Sequence, residues 1–211
     1  LCSETNVIYT KDKTTLVLCT PAMKGAFVIP DGVKTIAQSA FMSCHGITSV
    51  TIPNTVKSIG YAAFNMCSGL TSLDIPNSVE TIGQGAFEAC TSLASVTIGS
   101  SVKSIGRFAF RVCQALKEMT CLAGDVPETD SDAFDLTPVS GATLKVHASS
   151  VEAYKSATPW SGFGTITSIE ATAVDAVASQ NVSNIWYDLS GRKAVRAGKG
   201  VMIHNGRKYV R

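Results

Sequence analysis

Several features that would point to a particular class of protein are scarce in this sequence of 211 residues. Charged residues make up only 16% of the chain, aromatic residues make up 7%, and there are three histidines. No apolar run reaches the roughly 18 residues of a transmembrane helix, so the sequence predicts no such helix. No signal peptide is evident either. Because the chain starts directly at Leu1 and Cys2, we expect a processed or trimmed start, and the missing signal peptide is not proof of a cytosolic protein.

Residues that bind metal ions or cofactors are also few. The histidines at 45, 147 and 204 lie far apart, and none has a Cys, Asp or Glu beside it at the spacing of a metal site. One acidic loop lacks the glycine and the closing glutamate of a calcium loop, so we interpret it as solvated; it contains Asp125, Glu128, Asp130, Asp132 and Asp135. The sequence therefore predicts no metal and no cofactor.

Acidic residues are absent from the C-terminal end of the chain. The residues after Asp188 include seven basic side chains and no acidic one. Such an imbalance can indicate nucleic acid or an anionic surface as a partner. Here the basic residues alternate with glycine and apolar residues and are not massed with the aromatic side chains on which bases stack. We therefore predict that the protein does not bind nucleic acid.

The sequence does contain a repeat of 23 residues, which runs from about Ile29 to Thr120. Apolar residues recur at this step in seven positions. A short coil cannot bury its apolar side alone, but identical coils can stack and share one core, so this pattern predicts a solenoid. The positions are Ile29, Ile52, Ile75 and Ile98; Val33, Val56, Val79 and Val102; Ile36, Ile59, Ile82 and Ile105; Phe41, Phe64, Phe87 and Phe110; Cys44, Cys67, Cys90 and Cys113; Ile47, Leu70, Leu93 and Leu116; and Val50, Leu73, Val96 and Met119.

Within one unit, the spacing indicates where the strand and the turns lie. Leu70, Leu73 and Ile75 follow the spacing L-x-x-L-x-L, whose last three positions alternate as in a strand. Pro76 then ends the strand because proline cannot donate to a ladder. Residues 63–67 span about one turn, which we predict to be α-helical or 3₁₀. Phe64 in this turn is predicted to fill the interior of its coil.

The four cysteines of the repeat are predicted to be unbridged. In-register neighbours in a parallel stack lie about 4.8 Å apart with parallel side chains. A disulfide needs Cβ atoms about 3.5–4.5 Å apart that are turned toward each other. We therefore expect these four to be reduced, buried and equivalent to small apolar side chains. The spacing gives no argument for Cys2, Cys19 or Cys121.

These residues resemble the BspA-like, or treponemal-type, leucine-rich repeat, with the pattern I-P-x-x-V-x-x-I-G-x-x-A-F-x-x-C-x-x-L-x-x-[VL]-x. Four consecutive copies match, with Ala37 in place of glycine and Gly99 in place of proline as the departures. The resemblance implies an α+β or β-rich solenoid. It would be a right-handed leucine-rich-repeat superhelix with 23-residue repeats, capped at both ends, with a small C-terminal β-module.

The resemblance also implies the domain organisation. Residues 1–28 form an N-terminal cap with a hairpin-like segment over 9–19, and 29–120 form four leucine-rich repeats. Residues 121–169 form an atypical last repeat and a C-terminal cap, with a strand at 144–146. Ser149 and Glu152 fit a capping box that opens a helix through Ala157. The cap pattern of the family matches at Tyr154, Ala157, Trp160, Phe163 and Ile166.

The remaining residues are predicted to form a linker at 170–183 and a small β-module at 184–211. Segments 185–193, 198–203 and 205–208 resemble the C-terminal sorting domain of secreted Bacteroidetes proteins, which implies contact with secretion machinery. Asn205 and Gly206, which lie between alternating segments, are a strong hairpin signal by themselves.

One face of the predicted sheet is the candidate partner-binding surface, because solenoids usually bind through their strand face. It is rich in hydroxyl groups but lacks the Trp, Tyr or Arg anchors that dominate interface energies. Two readings stay open: weak binding that gains from avidity, or strand residues that only keep the protein soluble. The outward residues are Ser49, Thr51, Ser72, Asp74, Ser95, Thr97, Glu118 and Thr120.

The best enzymatic alternative is a parallel β-helix acting on polysaccharide, which needs two carboxylates about 5–9.5 Å apart. Asp74 and Glu118 are the only acidic residues on the strand face, and from the strand spacing they are roughly 12 Å apart. No histidine or arginine completes such a site, so we predict no enzymatic activity.

We therefore expect a non-enzymatic leucine-rich-repeat protein at a bacterial cell surface or secreted from the cell envelope. It would bind an extracellular protein or glycan in protein–protein or host/matrix adhesion, and the adhesive role follows from the family resemblance alone. The alternative is a polysaccharide-binding protein or a structural spacer of the envelope with the same fold.

Overall fold

The computed structural model describes residues 6–169 in full and, outside that range, the backbone of the strands at 2–4, 186–188, 193–194, 201–204 and 207–210. The chain divides into two compact units, Leu1–Ile169 and Glu170–Arg211.

The first unit is built almost entirely from short strands. Its helical segments are α1 (Val151–Ser156) and three 3₁₀ turns at Val139–Gly141, Ala148–Ser150 and Trp160–Gly162. The strands in chain order are β1 (Cys2–Glu4), β2 (Val7–Tyr9), β3 (Thr15–Cys19), β4 (Lys24–Val28), β5 (Thr35–Ile36), β6 (Gly46–Thr51), β7 (Ser58–Ile59), β8 (Ser72–Ile75), β9 (Thr81–Ile82), β10 (Ser95–Ile98), β11 (Ser104–Ile105), β12 (Glu118–Cys121), β13 (Glu128–Thr129), β14 (Thr143–Val146) and β15 (Thr165–Ser168).

These strands form the two sheets of a leucine-rich-repeat superhelix of about seven turns, which confirms the predicted solenoid. One sheet has seven parallel strands in the order β15-β14-β12-β10-β8-β6-β4. The other has eight strands in the order β1-β2-β3-β5-β7-β9-β11-β13, of which β1 to β3 pair antiparallel. In the repeat region, each strand residue lies opposite the residue 23 positions further on, as Ser72 lies opposite Ser95.

The core is a column of phenylalanine rings surrounded by the other repeated apolar side chains. Phe64 is fully buried, as predicted, and its ring stacks on Phe41 at 4.6 Å and on Phe87 at 5.2 Å between centroids. The stack continues through Phe110 to Phe134 at centroid distances of 5.3 and 5.8 Å. The repeated apolar positions therefore line one continuous interior.

Aromatic side chains close both ends of this column. Phe27 packs edge-on against Phe41 at 5.5 Å. At the other end the ring of Phe134 meets Trp160 at 5.2 Å and Phe163 at 5.4 Å, both edge-on, with interplanar angles of 70° and 86°. Trp160 and Phe163 are buried, as expected of side chains that cover an otherwise open core.

The predicted helical turn around Phe64 is wrong. Residues 61–66 form consecutive turns, and Ala62 and Met66 have φ values of 50° and 61°. The amide of Phe64 donates to the carbonyl oxygen of Ala86 in the next coil and not to a carbonyl one helical turn earlier. Because Ala62 and Met66 have left-handed backbone conformations, every second amide of this segment points toward the next coil. These amides find carbonyl acceptors there, whereas a helix would pair them within the segment.

Glycine at one position of the repeat allows successive coils to approach closely. A Cβ atom on Gly83 would lie 2.7 Å from the carbonyl carbon of Gly60, and one on Gly106 would lie 2.6 Å from the amide nitrogen of Gln84. The equivalent residue of the first coil is Ala37, whose amide donates to Leu16 of strand β3. Its neighbour is a strand of the N-terminal hairpin and not a repeat coil, which explains why the sequence can depart from glycine there.

The N-terminal segment forms the predicted hairpin. Strands β2 and β3 pair antiparallel, with Val7 opposite Cys19. Strand β4 lies within residues 1–28, which the sequence assigns to the cap, but it pairs parallel with β6 and forms the outer strand of the seven-stranded sheet.

The predicted capping box at Ser149 is wrong. Ser149 lies in the 3₁₀ turn Ala148–Ser150, so the residue at the N-cap of α1 is Ser150 and no side chain caps the helix. The hydroxyl of Ser150 donates instead to the carbonyl oxygen of Gly124 at 2.5 Å. Glu152 pairs with Lys155 at 2.8 Å within the same helix.

The second unit contains a four-stranded antiparallel sheet. Its strands are β16 (Trp186–Asp188), β17 (Lys193–Ala194), β18 (Val201–His204) and β19 (Arg207–Val210), in the order β17-β16-β18-β19. His204 pairs with Arg207 across β18 and β19, on either side of the predicted Asn205–Gly206 turn. That turn and the predicted linker at 170–183 lie outside the described residues.

Candidate partner-binding face

The outward side of the seven-stranded sheet, called the strand face below, carries all eight residues predicted from the sequence. They form two rows across successive strands, and each is exposed or half-buried. Thr51, Asp74, Thr97 and Thr120 are paired in register in one row. Ser72, Ser95 and Glu118 are paired in the other, and Ser49 lies two residues before Thr51 on β6. The structure thus brings these residues together on one surface.

Both rows continue beyond the residues that the sequence identified. Thr143 lies opposite Glu118, and Thr165 lies opposite Thr143. The row that contains Thr120 continues in the same way through Lys145 to Thr167. These positions were missed because the steps between the last strands are 25 and 22 residues, so they fall outside the 23-residue period. Alternation of apolar and polar residues around Leu144 was the available signal for them.

The strand face carries few charges. Lys145 Nζ lies 2.8 Å from Glu118 Oε2, and both side chains are partly exposed. Such pairs contribute little to stability but neutralise each other. Asp74 has Thr51 and Thr97 as register neighbours and no ion-pair partner among the described residues. From β6 to β15 the surface is therefore a band of mostly neutral hydroxyl groups with one carboxylate near its middle. At the β4 edge it also presents the exposed side chain of Val28, which lies opposite Thr51.

Four further exposed apolar side chains lie on a different side of the solenoid, in the turns that follow the short strands. This side is called the turn side below. No repeated residue type marks them in the sequence, because they occupy positions of the repeat at which the residue type changes from coil to coil. Tyr61 is 50% exposed and is the largest of them. The others on this side are Met42, Met66 and Leu136.

The turn side also carries a ladder of polar side chains that link four coils. Asn65 Nδ2 donates to Glu88 Oε2 at 3.1 Å. Arg111 bonds Glu88 at 2.8 Å and Asp135 at 2.9 Å. Hydrogen bonds to Glu88 and Asp135 raise the pKa of Arg111. No sequence pattern predicted this ladder, and Asp135 was expected to lie in a solvated loop.

Replacing Arg111 should destabilise the protein more than breaking an isolated exposed ion pair. Arg111→Met leaves Glu88 and Asp135 close together without their shared cation, so we expect a lower melting temperature that high salt partly restores. Lys155→Met, which breaks the exposed pair with Glu152, is the matched control. Equal melting temperatures for the two variants would show that the ladder does not stabilise the stack.

The repeated cysteines act as hydrogen-bond donors between coils. Sγ of Cys67, Cys90 and Cys113 donates to the carbonyl oxygen of the phenylalanine 26 residues earlier, at 3.1, 3.2 and 3.3 Å. In the next coil the hydroxyl of Thr137 donates to Phe110 O at 2.5 Å in the same way. The position therefore requires a small buried donor, which a thiol or a hydroxyl can supply.

Cys67, Cys90 and Cys113 should react with a thiol reagent only after denaturation. All three are fully buried, and burial raises their pKa values, that of Cys113 to about 12. Since the thiolate is the reactive form, native protein at neutral pH should show none of the three in a thiol titration. Rapid labelling of Cys90 in the native protein would contradict this burial.

A cleft of about 470 Å³ opens beside the turns that follow β10 and β12. Its lining includes Ser100, Ser101, Lys103, Asp125 and Pro127, and none of the strand-face residues belongs to it. Within the described residues, no group of three or more His, Cys, Asp or Glu side chains could hold a metal ion. In the same part of the chain, no helix is long and apolar enough to cross a membrane.

The stacked coils and their two sheets define a leucine-rich-repeat solenoid. The family model described as the BspA type leucine rich repeat region matches residues 24–154 in six copies, which is more than half of the chain. The protein therefore belongs to the BspA-type leucine-rich-repeat family. The match ends before residues 184–211, so it does not bear on their resemblance to a sorting domain.

Three solved structures resemble this chain. A leucine-rich-repeat protein of T. pallidum is 27% identical, with a TM-score of 0.56 over 66% of this chain and 67% of its own. The pneumococcal vaccine antigen PcpA is 21% identical, with a TM-score of 0.62 over 79% and 46%. A leucine-rich-repeat protein from Eubacterium ventriosum is 20% identical, with a TM-score of 0.59 over 98% and 54%.

The chain spans about half the length of the last two proteins. At 20–21% identity, the similarity to these two structures shows a shared fold and nothing more. No curated protein sequence matches the chain.

Proposed function

We propose that the protein is a non-enzymatic binding module that acts at a bacterial cell surface or after secretion, and that it binds an extracellular protein through the strand face. The observation that carries this proposal is the pair of rows of exposed and half-buried side chains across the parallel sheet, most of which carry a hydroxyl group. Membership of the BspA-type family supports it. Adhesion to a host or matrix protein is the specific role that we infer.

The chemistry of the strand face fits many weak contacts better than a few strong ones. Serine and threonine donate and accept hydrogen bonds and lose little conformational entropy when a partner orders them. The two rows carry no aromatic or arginine side chain at the eight predicted positions, and such residues dominate tight interfaces. We therefore expect weak binding by one solenoid that increases when several copies are displayed together.

A binding panel with two double variants tests this proposal. Ser72→Arg with Ser95→Arg places two bulky cations in the middle of one row, where both serines are exposed. Gln38→Arg with Gln84→Arg adds the same charge at exposed positions outside the strand face. Parent and variants are immobilised at equal density and exposed to purified matrix proteins and glycans.

We expect the parent and the Gln38/Gln84 variant to bind at least one matrix protein, and the Ser72/Ser95 variant to lose about tenfold in affinity or more. Equal binding by the two variants would place the contact elsewhere. Binding to glycans alone would favour a polysaccharide-binding protein of the envelope. Binding to no ligand of the panel would favour a structural spacer.

The C-terminal module is proposed to meet the secretion machinery, on the basis of the resemblance of its sequence to a sorting domain. Deleting residues 184–211 should leave the solenoid folded but abolish surface display in the native host, because the family repeats lie within residues 24–154. Circular dichroism and surface labelling measure the two effects. Normal amounts of the truncated protein at the surface would exclude the sorting role.

A further inference from the structure

Cys19, for which the sequence spacing gave no role, lies beside the first cysteine of the ladder. Both residues are fully buried. The Sγ atoms of Cys44 and Cys19 bond the same carbonyl oxygen, that of Thr20, at 3.6 and 3.8 Å. The fold thus brings together a pair of thiols at the junction between the N-terminal hairpin and the first coil.

This pair differs from the other cysteines of the ladder. Cys67 and the ladder cysteines after it direct their thiols to phenylalanine carbonyl oxygens of the preceding coil. Cys44 has Leu18 at the equivalent position, 26 residues earlier, and its thiol contacts the carbonyl oxygen of Cys19, 25 residues earlier, at 3.6 Å. Cys19 and Cys44 are therefore not in-register neighbours of the ladder. The argument that parallel side chains prevent a disulfide does not apply to them.

We propose that Cys19 and Cys44 form a disulfide when the protein meets an external disulfide such as oxidised glutathione. One of the two cysteines, as its thiolate, attacks one sulfur of the external disulfide and expels a thiolate, which leaves a mixed disulfide on that cysteine. The other cysteine then attacks the protein sulfur of the mixed disulfide and expels the second thiolate. Two electrons pass from the cysteines to the external disulfide, and the two protons pass to the released thiols.

In the folded state the two thiols differ in acidity. The neighbouring Cys19 thiol lowers the pKa of Cys44, whereas the Cys44 thiol together with burial raises the pKa of Cys19. Cys44 therefore forms a thiolate more readily than Cys19 while the two side chains stay in contact. Both sulfurs are buried, so the exchange takes place during folding or when the terminal hairpin opens locally.

The bond would connect the N-terminal hairpin covalently to the first coil. Solenoids depend on contacts between neighbouring coils, and a terminal coil has a neighbour on one side only. A covalent link across 25 residues restricts the unfolded chain and opposes unwinding from this end. The proposal departs from the sequence-based expectation that Cys44 is unbridged and leaves that expectation unchanged for the three later cysteines.

Refolding of the full chain in a glutathione redox buffer tests the proposal without depending on access to the buried pair. After alkylation of free thiols and proteolysis at acidic pH, we expect mass spectrometry to find Cys19 linked to Cys44 and alkylated Cys67, Cys90 and Cys113. The oxidised protein should melt about 5–10 °C above the reduced protein.

Cys19→Ala and Cys44→Ala should each abolish the bond and the shift in melting temperature, whereas Cys67→Ala should retain both. Alkylated Cys19 and Cys44 in the refolded parent, or a disulfide from either of them to another cysteine, would overturn the proposal. The readout on the parent protein is decisive even if a variant fails to fold.

Discussion

Truncating either of two central phenylalanines should cost the largest amount of stability of any single side chain considered. Phe64→Ala and Phe87→Ala should each lower the free energy of unfolding by about 3–5 kcal/mol. Both rings are fully buried and stack on a ring above and a ring below, so truncation leaves a cavity that the neighbouring coils cannot fill. Chemical denaturation followed by circular dichroism measures the change.

Tyr61→Ala is the matched control, because it removes an aromatic ring that is half exposed on the same coil as Phe64. It should cost well under half as much. If the Phe64 or Phe87 variant melts within a degree or two of the parent, the rings do not form the interior column.

Adding one methyl group at Gly83 should have the second-largest effect. The new Cβ would lie 2.7 Å from the carbonyl carbon of Gly60 and 2.8 Å from the amide nitrogen of Tyr61, which are backbone atoms of the adjacent coil. They can withdraw only if the coils separate, so we expect Gly83→Ala to lower the free energy of unfolding by about 1–3 kcal/mol.

Gly141→Ala is the control for this effect, since a Cβ there would meet nothing within 4 Å. It should leave stability unchanged or slightly improved. A Gly83→Ala protein as stable as the Gly141→Ala protein would mean that the coils lie further apart at this position than the structure indicates.

The features that the sequence predicted correctly are those that each coil repeats with the same residue type. Because the buried column requires a phenylalanine in every coil, phenylalanine recurs every 23 residues from Phe41 to Phe110, and the sequence shows this period directly. The outward residues of β8 and β10 followed from the alternation of polar and apolar residues within a strand. The eight predicted strand-face residues therefore lie together in the structure, although their role in binding stays a prediction.

The features that the sequence did not reveal depend on contacts between unlike residues of different coils. Glu88 and Arg111 occupy equivalent positions but have opposite charges, so no repeated letter marks their ladder. Thr137 replaces cysteine after a step of 24 residues and keeps the hydrogen bond while breaking the period. Ser149 matched a local capping pattern, but Ser150 took the N-cap because Ala148–Ser150 form a 3₁₀ turn.

Residue types near Ala62 also misled the prediction of local structure. Alanine and phenylalanine are not typical turn residues, and the segment 63–67 has the length of one helical turn, so a helical turn was expected there. Stacking overrides this local preference because the left-handed residues allow the amide of Phe64 to reach Ala86. Such a conformation becomes favourable only when a neighbouring coil supplies the acceptor.

Site-specific photo-crosslinking tests most directly whether the strand face or the apolar turn side binds the partner. A photoreactive p-benzoyl-phenylalanine replaces Thr97, in the middle of the strand face, or Tyr61, on the turn side. Each protein is irradiated with the matrix protein that the parent binds. The strand-face assignment predicts a cross-linked product from position 97 and none from position 61. A product from position 61 alone would contradict it and identify the exposed apolar side of the turns as the binding surface.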